Sequence, residues 1–170
     1  MSFHHDFAEW ERFSRPEGCP VCQNWPEPAD HVTIREFPTS WLIAHPRVCL
    51  RGTCCLLLKP HAVELYDLDE ADLLGFMKEA QVCARALKAV TGAVKINYEI
   101  HGNTIPHLHM HLFPRHRDDP FPGAPIDFRR VEPPVYEEGE FAAFVADMRA
   151  ALGAGGDPAA GGRGRSPFER

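Results

Sequence analysis

Three histidines at alternate positions, His107, His109 and His111, form the densest cluster of reactive side chains in the sequence. Successive side chains of an extended strand point to opposite faces. These three imidazoles therefore share one face, about 7 Å apart, while Leu108, Met110 and Leu112 share the other. Two chemistries use such a row. Neutral imidazole is a common ligand for zinc or copper. Imidazole is also a nucleophile near neutral pH, and a phosphorylated imidazole is labile enough to hydrolyse. A strand whose histidines are merely hydrogen-bonded is the bland alternative, and the i, i+2, i+4 repeat makes it the weakest of the three.

A second cluster, Cys19-Pro20-Val21-Cys22, has zinc-ligand spacing but supplies only half of a tetrahedral site. His61 and His107 are the candidates for the other half. The competing reading is a reduced thiol pair without metal. A thioredoxin-like pair is disfavoured, because residues 15–29 carry four prolines and read as an irregular loop rather than a strand-to-helix turn. Just before the triad, Gly102-Asn103-Thr104 offers an amide and a hydroxyl on a turn, which suits an anion.

The elements that position these groups follow from periodicity. Phe3, Phe7, Trp10 and Phe13 have helical spacing. Val32–Phe37, Trp41–Ala44 and Thr53–Leu58 read as strands, punctuated by Pro38, Pro46 and Pro60. A long helix starts at Asp69, a capping residue, with Glu70 and Asp72 at the positive end of its dipole. Its apolar face is read as Leu73, Phe76, Met77, Ala80, Ala84, Leu87 and Val90, and Gly92 stops it. Ala93–Ile100 and His107–Pro114 read as two more strands, and Glu138–Leu152 as a second amphipathic helix. Short connections between strands, together with one long helix, predict an α+β fold: a mainly antiparallel sheet with the helix packed against it. Residues 1–152 are read as one domain and the Gly/Ala-rich 153–170 as a disordered tail.

Net charge is −6, from 24 acidic and 18 basic residues, which argues against a nucleic-acid footprint. Arg115, Arg117, Arg129 and Arg130 could still make one face locally positive for a small phosphorylated ligand. No apolar run is long enough to cross a membrane, and the first residues do not read as a secretory signal, so a cytoplasmic protein is the expectation. Cys49, Cys54, Cys55 and Cys83 sit in apolar runs and read as small core residues. His4, His5 and His31 read as surface residues. His45, His101 and His116 are placed near the site without a role, and Trp25 and Trp41 read as core residues or base-stacking groups.

The run from Gly102 to Arg115, with His107-Leu108-His109-Met110-His111 followed by Leu-Phe-Pro-Arg, resembles the signature of the histidine-triad superfamily. Gly52 to His61 resembles the strand that precedes the long helix in that family, and the resemblance covers roughly residues 15–115. It implies that His109 is the nucleophile toward an α-phosphorus. It also implies that His111 binds phosphate and assists the leaving group, and that the His107 carbonyl steadies the His109 ring. Asn103 and Thr104 are implied as phosphate donors. The zinc-containing, bacterial-type branch implies a structural zinc on Cys19, Cys22, His61 and His107, no catalytic cofactor, and a homodimer. The expected function is therefore a hydrolase or nucleotidyl transferase. It would act on a small nucleotide, a dinucleoside polyphosphate or nucleoside phosphoramidate, through a nucleotidyl-histidine. Two rivals are carried: a hydrolase with catalytic zinc on all three triad histidines, and a non-catalytic nucleotide-binding protein.

Overall fold

The computed structural model describes residues 6–25, 31–127 and 135–154. The chain runs α1 (Phe7–Phe13), α2 (Pro20–Asn24), β1 (Val32–Glu36), β2 (Ser40–Ala44), β3 (Cys54–Leu58) and a 3-10 turn at Leu65–Asp67. It continues through α3 (Glu70–Thr91), β4 (Lys95–Glu99), β5 (His109–Arg115) and α4 (Glu140–Ala154). All five strands form one antiparallel sheet in the order β1-β2-β3-β5-β4, so the predicted α+β architecture is the one observed.

Helix α3 forms for the local reasons read in the sequence. The Asp69 carboxylate accepts the Asp72 amide at the N-cap, and Gly92 closes the helix at φ 67°, a left-handed conformation that costs glycine little. The buried face is rotated from the predicted one. Phe76, Ala80, Ala84 and Leu87 are buried as expected, but Cys83 and Glu79 join them, whereas Leu73 and Met77 are exposed. Glu79 is buried because its carboxylate accepts the Thr39 amide (2.9 Å) and the Ser40 hydroxyl (2.5 Å), tying α3 to the start of β2. Helix α4 buries Phe144, Val145, Met148 and Leu152 in the same core.

The sheet presents its other face to the candidate site. Leu108, Met110 and Leu112 point into the main core, as their alternation predicts. On the opposite face Phe113 is buried in a small second core with Cys49, Leu50 and Phe121. Residues 116–126 fold back to supply Phe121, and Arg115 ties them down. Its guanidinium donates to both Asp119 carboxylate oxygens (2.7 and 2.9 Å) and to the Phe121 carbonyl. Arg115 is thus an internal strut rather than part of a free basic face, and Arg129 and Arg130 lie outside the described residues.

Within the segment predicted as an irregular loop, the described residues 15–25 are more regular, because Cys19 is the N-cap residue of the single-turn helix α2. The cysteine pair therefore does open a helix, although α1, not a strand, precedes it. The predicted tail begins two residues early, since α4 runs through Ala154; the rest of it, like His4 and His5, lies outside the described residues. Among the described residues no helix is long and apolar enough to cross a membrane.

Candidate functional site

His107 is not part of strand β5, which begins at His109. Its backbone belongs to a junction where the Leu108 amide donates to the Ala62 carbonyl and the Leu58 amide to the Leu108 carbonyl. This crossing carries His61 and His107 to one point. The α1–α2 segment delivers Cys19 and Cys22 to the same point, and the four ligand atoms lie within 4.8 Å of one another.

The donor set fits a tetrahedral metal. Nδ1 of His107 lies 3.4 Å from the Cys19 sulfur and 3.6 Å from that of Cys22, and Nδ1 of His61 lies 3.3 Å from the Cys22 sulfur. Zinc bound to two thiolates and two imidazoles needs ligand–ligand edges of about 3.3–3.8 Å. On the far side of each ring Nε2 meets a carbonyl, which can only accept. His107 Nε2–H donates to Leu58 (2.8 Å) and His61 Nε2–H to Ser14 (3.0 Å). Both rings are therefore held with the Nδ1 lone pair facing the sulfurs. Burial holds the His107 pKa down, against the Leu58 carbonyl, which favours the neutral form a metal ligand requires. The Cys22 thiol is pushed up to about 11, first by burial, then by a hydrogen bond with Cys19 and by the like charge of that group, which a divalent cation relieves.

His109 and His111 face away from this cluster. His109 Nδ1 lies 2.6 Å from the His107 carbonyl, so Nδ1 carries the proton and the Nε2 lone pair is left for chemistry. The rings of His109 and His111 meet edge to face at 4.9 Å, and His111 stacks on Phe113 at 5.7 Å. Burial is the first cause holding both rings below their ordinary pKa, and it takes His111 down to about 4 with help from His109 and His101. The triad is thus divided. Among the described residues the group able to hold a metal takes His107 with the cysteines and His61, and the row of three does not converge on one ion.

A cleft of about 320 Å³ opens beside His111, lined among others by His31, Ile43, His45, Thr53 and Cys55. The Arg47 amide donates to His45 Nδ1 (2.8 Å), which leaves Nε2–H as that ring's donor. Cys55 pairs with His111 across β3 and β5, and burial raises its thiol to about 12, which makes it a poor nucleophile. Asn103 and Thr104 are exposed on the bend before His107. Trp10 of α1 steadies that bend, its indole N–H donating to the Gly102 carbonyl at 3.0 Å. Of the histidines without a predicted role, His101 lies 6.1 Å from His111, ring to ring. His116 instead lines a separate cavity with Thr91, Tyr136 and Glu140. His31 is exposed, as read from the sequence, and also borders the cleft, 4.9 Å from His45; nothing local in the sequence marks that second position.

A histidine triad protein from Bradyrhizobium japonicum superposes with a TM-score of 0.63 at 28% identity, covering 72% of this chain and 91% of that one. One from Sinorhizobium meliloti gives 0.63 at 25% identity over 72% and 90% of the two chains. A Zn-bound histidine triad family protein from Mycobacterium smegmatis gives 0.56 at 25% identity over 74% and 86%. No curated protein matches the chain. The HIT domain profile matches residues 28–118, more than half of the sequence, and with the divided triad at the end of the sheet it establishes that this chain belongs to the HIT domain family.

Proposed function

We propose that the protein hydrolyses, or transfers, a nucleotidyl group at the α-phosphate of a dinucleoside polyphosphate or nucleoside phosphoramidate, through a covalent intermediate on His109. The observation that carries this reading is the 2.6 Å bond from His109 Nδ1–H to the His107 carbonyl, which fixes the tautomer with Nε2 free to attack phosphorus. The ring's depressed pKa favours the same unprotonated form. The cleft beside His111 is of a size for a nucleoside, with His45 Nε2–H among its donors. Asn103, Thr104 and His111 would donate to the phosphate oxygens.

Zinc on Cys19, Cys22, His61 and His107 would complete a closed site with no open position, so its part is structural: it pins the N-terminal segment and fixes the carbonyl that orients His109. The protein is proposed to be a homodimer acting in the cytoplasm. The edge position of β4, with Val94 and Tyr98 half-exposed beside it and on it, supports pairing of two copies, and free cysteines suit a reducing compartment.

The test is release of mononucleotide from a panel of adenylyl polyphosphates and phosphoramidates by the parent and by His109→Ala. Turnover lost by at least about a thousandfold in the folded variant is the expected result. Equal rates would remove His109 as nucleophile. Stoichiometric nucleotide binding with no turnover in either protein would replace the enzyme by a binding protein.

A further inference from the structure

Two residues on the triad side of the sheet take no part in the chemistry above. Glu99, the last residue of β4, is the cross-strand partner of His111, so the two side chains share a face. Its carboxylate Oε2 lies 3.1 Å from Nε2 of His101. The His101 ring is 6.1 Å from His111, which in turn is 4.9 Å from His109. The backbone that carries His101 is held on both sides: by the end of β4 before it, and after it by Gly102 at φ 81°, whose carbonyl takes the Trp10 indole N–H. The side chain of Glu99 is 18% exposed and that of His101 46%, so an inner carboxylate orients an outer imidazole that solvent and ligand can reach.

The order of strands assigns sides to the reaction. The nucleoside cleft borders His111 from β2 and β3, through Ile43, Ala44 and Cys55. Glu99 and His101 border it from β4, the opposite side. With the nucleoside on the β2–β3 side, the wall carrying Glu99 and His101 is left for the departing group, which in an in-line displacement lies opposite His109 Nε2. His111 itself is a poor source of a proton there, because its ring is neutral at physiological pH.

We infer that His101, oriented by Glu99, is the proton donor to the leaving group, which rests on the reading of His109 as the nucleophile. In the first step His109 Nε2 forms a bond to phosphorus as the bond from phosphorus to the leaving nitrogen or oxygen breaks. The electron pair stays with the leaving atom, which takes the proton from His101. In the second step water attacks phosphorus, its proton passes to the now neutral His101, and the pair of the breaking P–N bond returns to His109. Nucleotide monophosphate departs and both rings regain their starting states. Glu99 is a positioning residue acting through His101. It also repels a polyanionic leaving group by like charge, so the pair favours amines and alcohols, which need a proton to depart, over polyphosphates, which do not.

The test compares two adenosine 5′-phosphate substrates on the intact protein: an alkylamine phosphoramidate, whose amine must be protonated, and the p-nitrophenyl ester, whose phenolate leaves unaided. The readout is the ratio of kcat/KM for amidate over ester, which loss of fold or of nucleoside binding does not change. In His101→Gln the ratio is expected to fall about a hundredfold, and in Glu99→Gln about tenfold, in line with what a positioned general acid contributes. A ratio within threefold of the parent's in His101→Gln, with His109→Ala inactive, overturns the proton-donor role and leaves the nucleophile in place. Full activity of His109→Ala on the amidate, or no turnover of either substrate by the parent, overturns both.

Discussion

The Arg115–Asp119 strut offers a quantitative test of how the site's floor is held. Hydrogen bonds from the Arg115 guanidinium hold the Asp119 carboxyl down from 3.8 to about 2, against the opposing effect of burial and with help from the Phe121 and His116 amides. The pair is well shielded, with side chains 12% and 5% exposed, so solvent screens it little. Nearly two pH units at about 1.4 kcal/mol per unit give about 2 kcal/mol of stability. The folded-state pKa lies below the unfolded one. The contribution is therefore complete above about pH 4 and is lost as pH falls from 3.8 toward 2. Asp119→Asn keeps the shape and removes the charge. Urea unfolding followed by tryptophan fluorescence is expected to find the variant about 2 kcal/mol less stable at pH 7, about half that at pH 3 and little different near pH 2. Protonation of the metal ligands at low pH affects both proteins and cancels in the difference. A deficit under about 0.5 kcal/mol at pH 7, or one that does not shrink with acid, would refute the reasoning.

Three further outcomes follow from the same structure. Cys19→Ser, which removes a buried sulfur 3.4 Å from His107, is expected to abolish stoichiometric zinc in the purified protein by elemental analysis; unchanged zinc would mean a different ligand set. The His111 ring, pushed down to about 4 by burial, His109 and His101, should stay neutral in an NMR titration until the pH approaches 4. Its effect on stability has the opposite sense to a paired histidine's: stability falls as pH drops from 6.5 toward 4, and a ring titrating near 6.5 contradicts the geometry. Gly52→Ala places a side chain where φ is 82° and a Cβ would stand 2.7 Å from Thr91 Cγ2. It should cost about 1–3 kcal/mol by thermal unfolding, and an unchanged Tm would show that the turn relaxes freely.

What the sequence determined alone was local. Alternation along one strand sends Leu108, Met110 and Leu112 into the core, and Asp69 and Gly92 bound α3 through backbone bonds within a few residues of each. The family signature, too, is a contiguous run, and the match to a HIT domain over 28–118 accords with it. Composition does not fix which stripe of α3 is covered: Leu73 and Met77 are as apolar as Phe76, but the sheet and the buried Glu79 carboxylate select the face carrying Cys83. Alternation also predicted one row of three imidazoles. Tertiary structure divides it, because β5 begins only at His109, and the Leu108–Ala62 and Leu58–Leu108 bonds turn His107 toward cysteines 85 and more residues away. The approach of His101 to His111 through a strand pair, and of His31 to His45 beside the cleft, is likewise a product of packing. Such contacts depend on how distant segments bury their apolar surfaces together, which residue spacing along the chain does not encode.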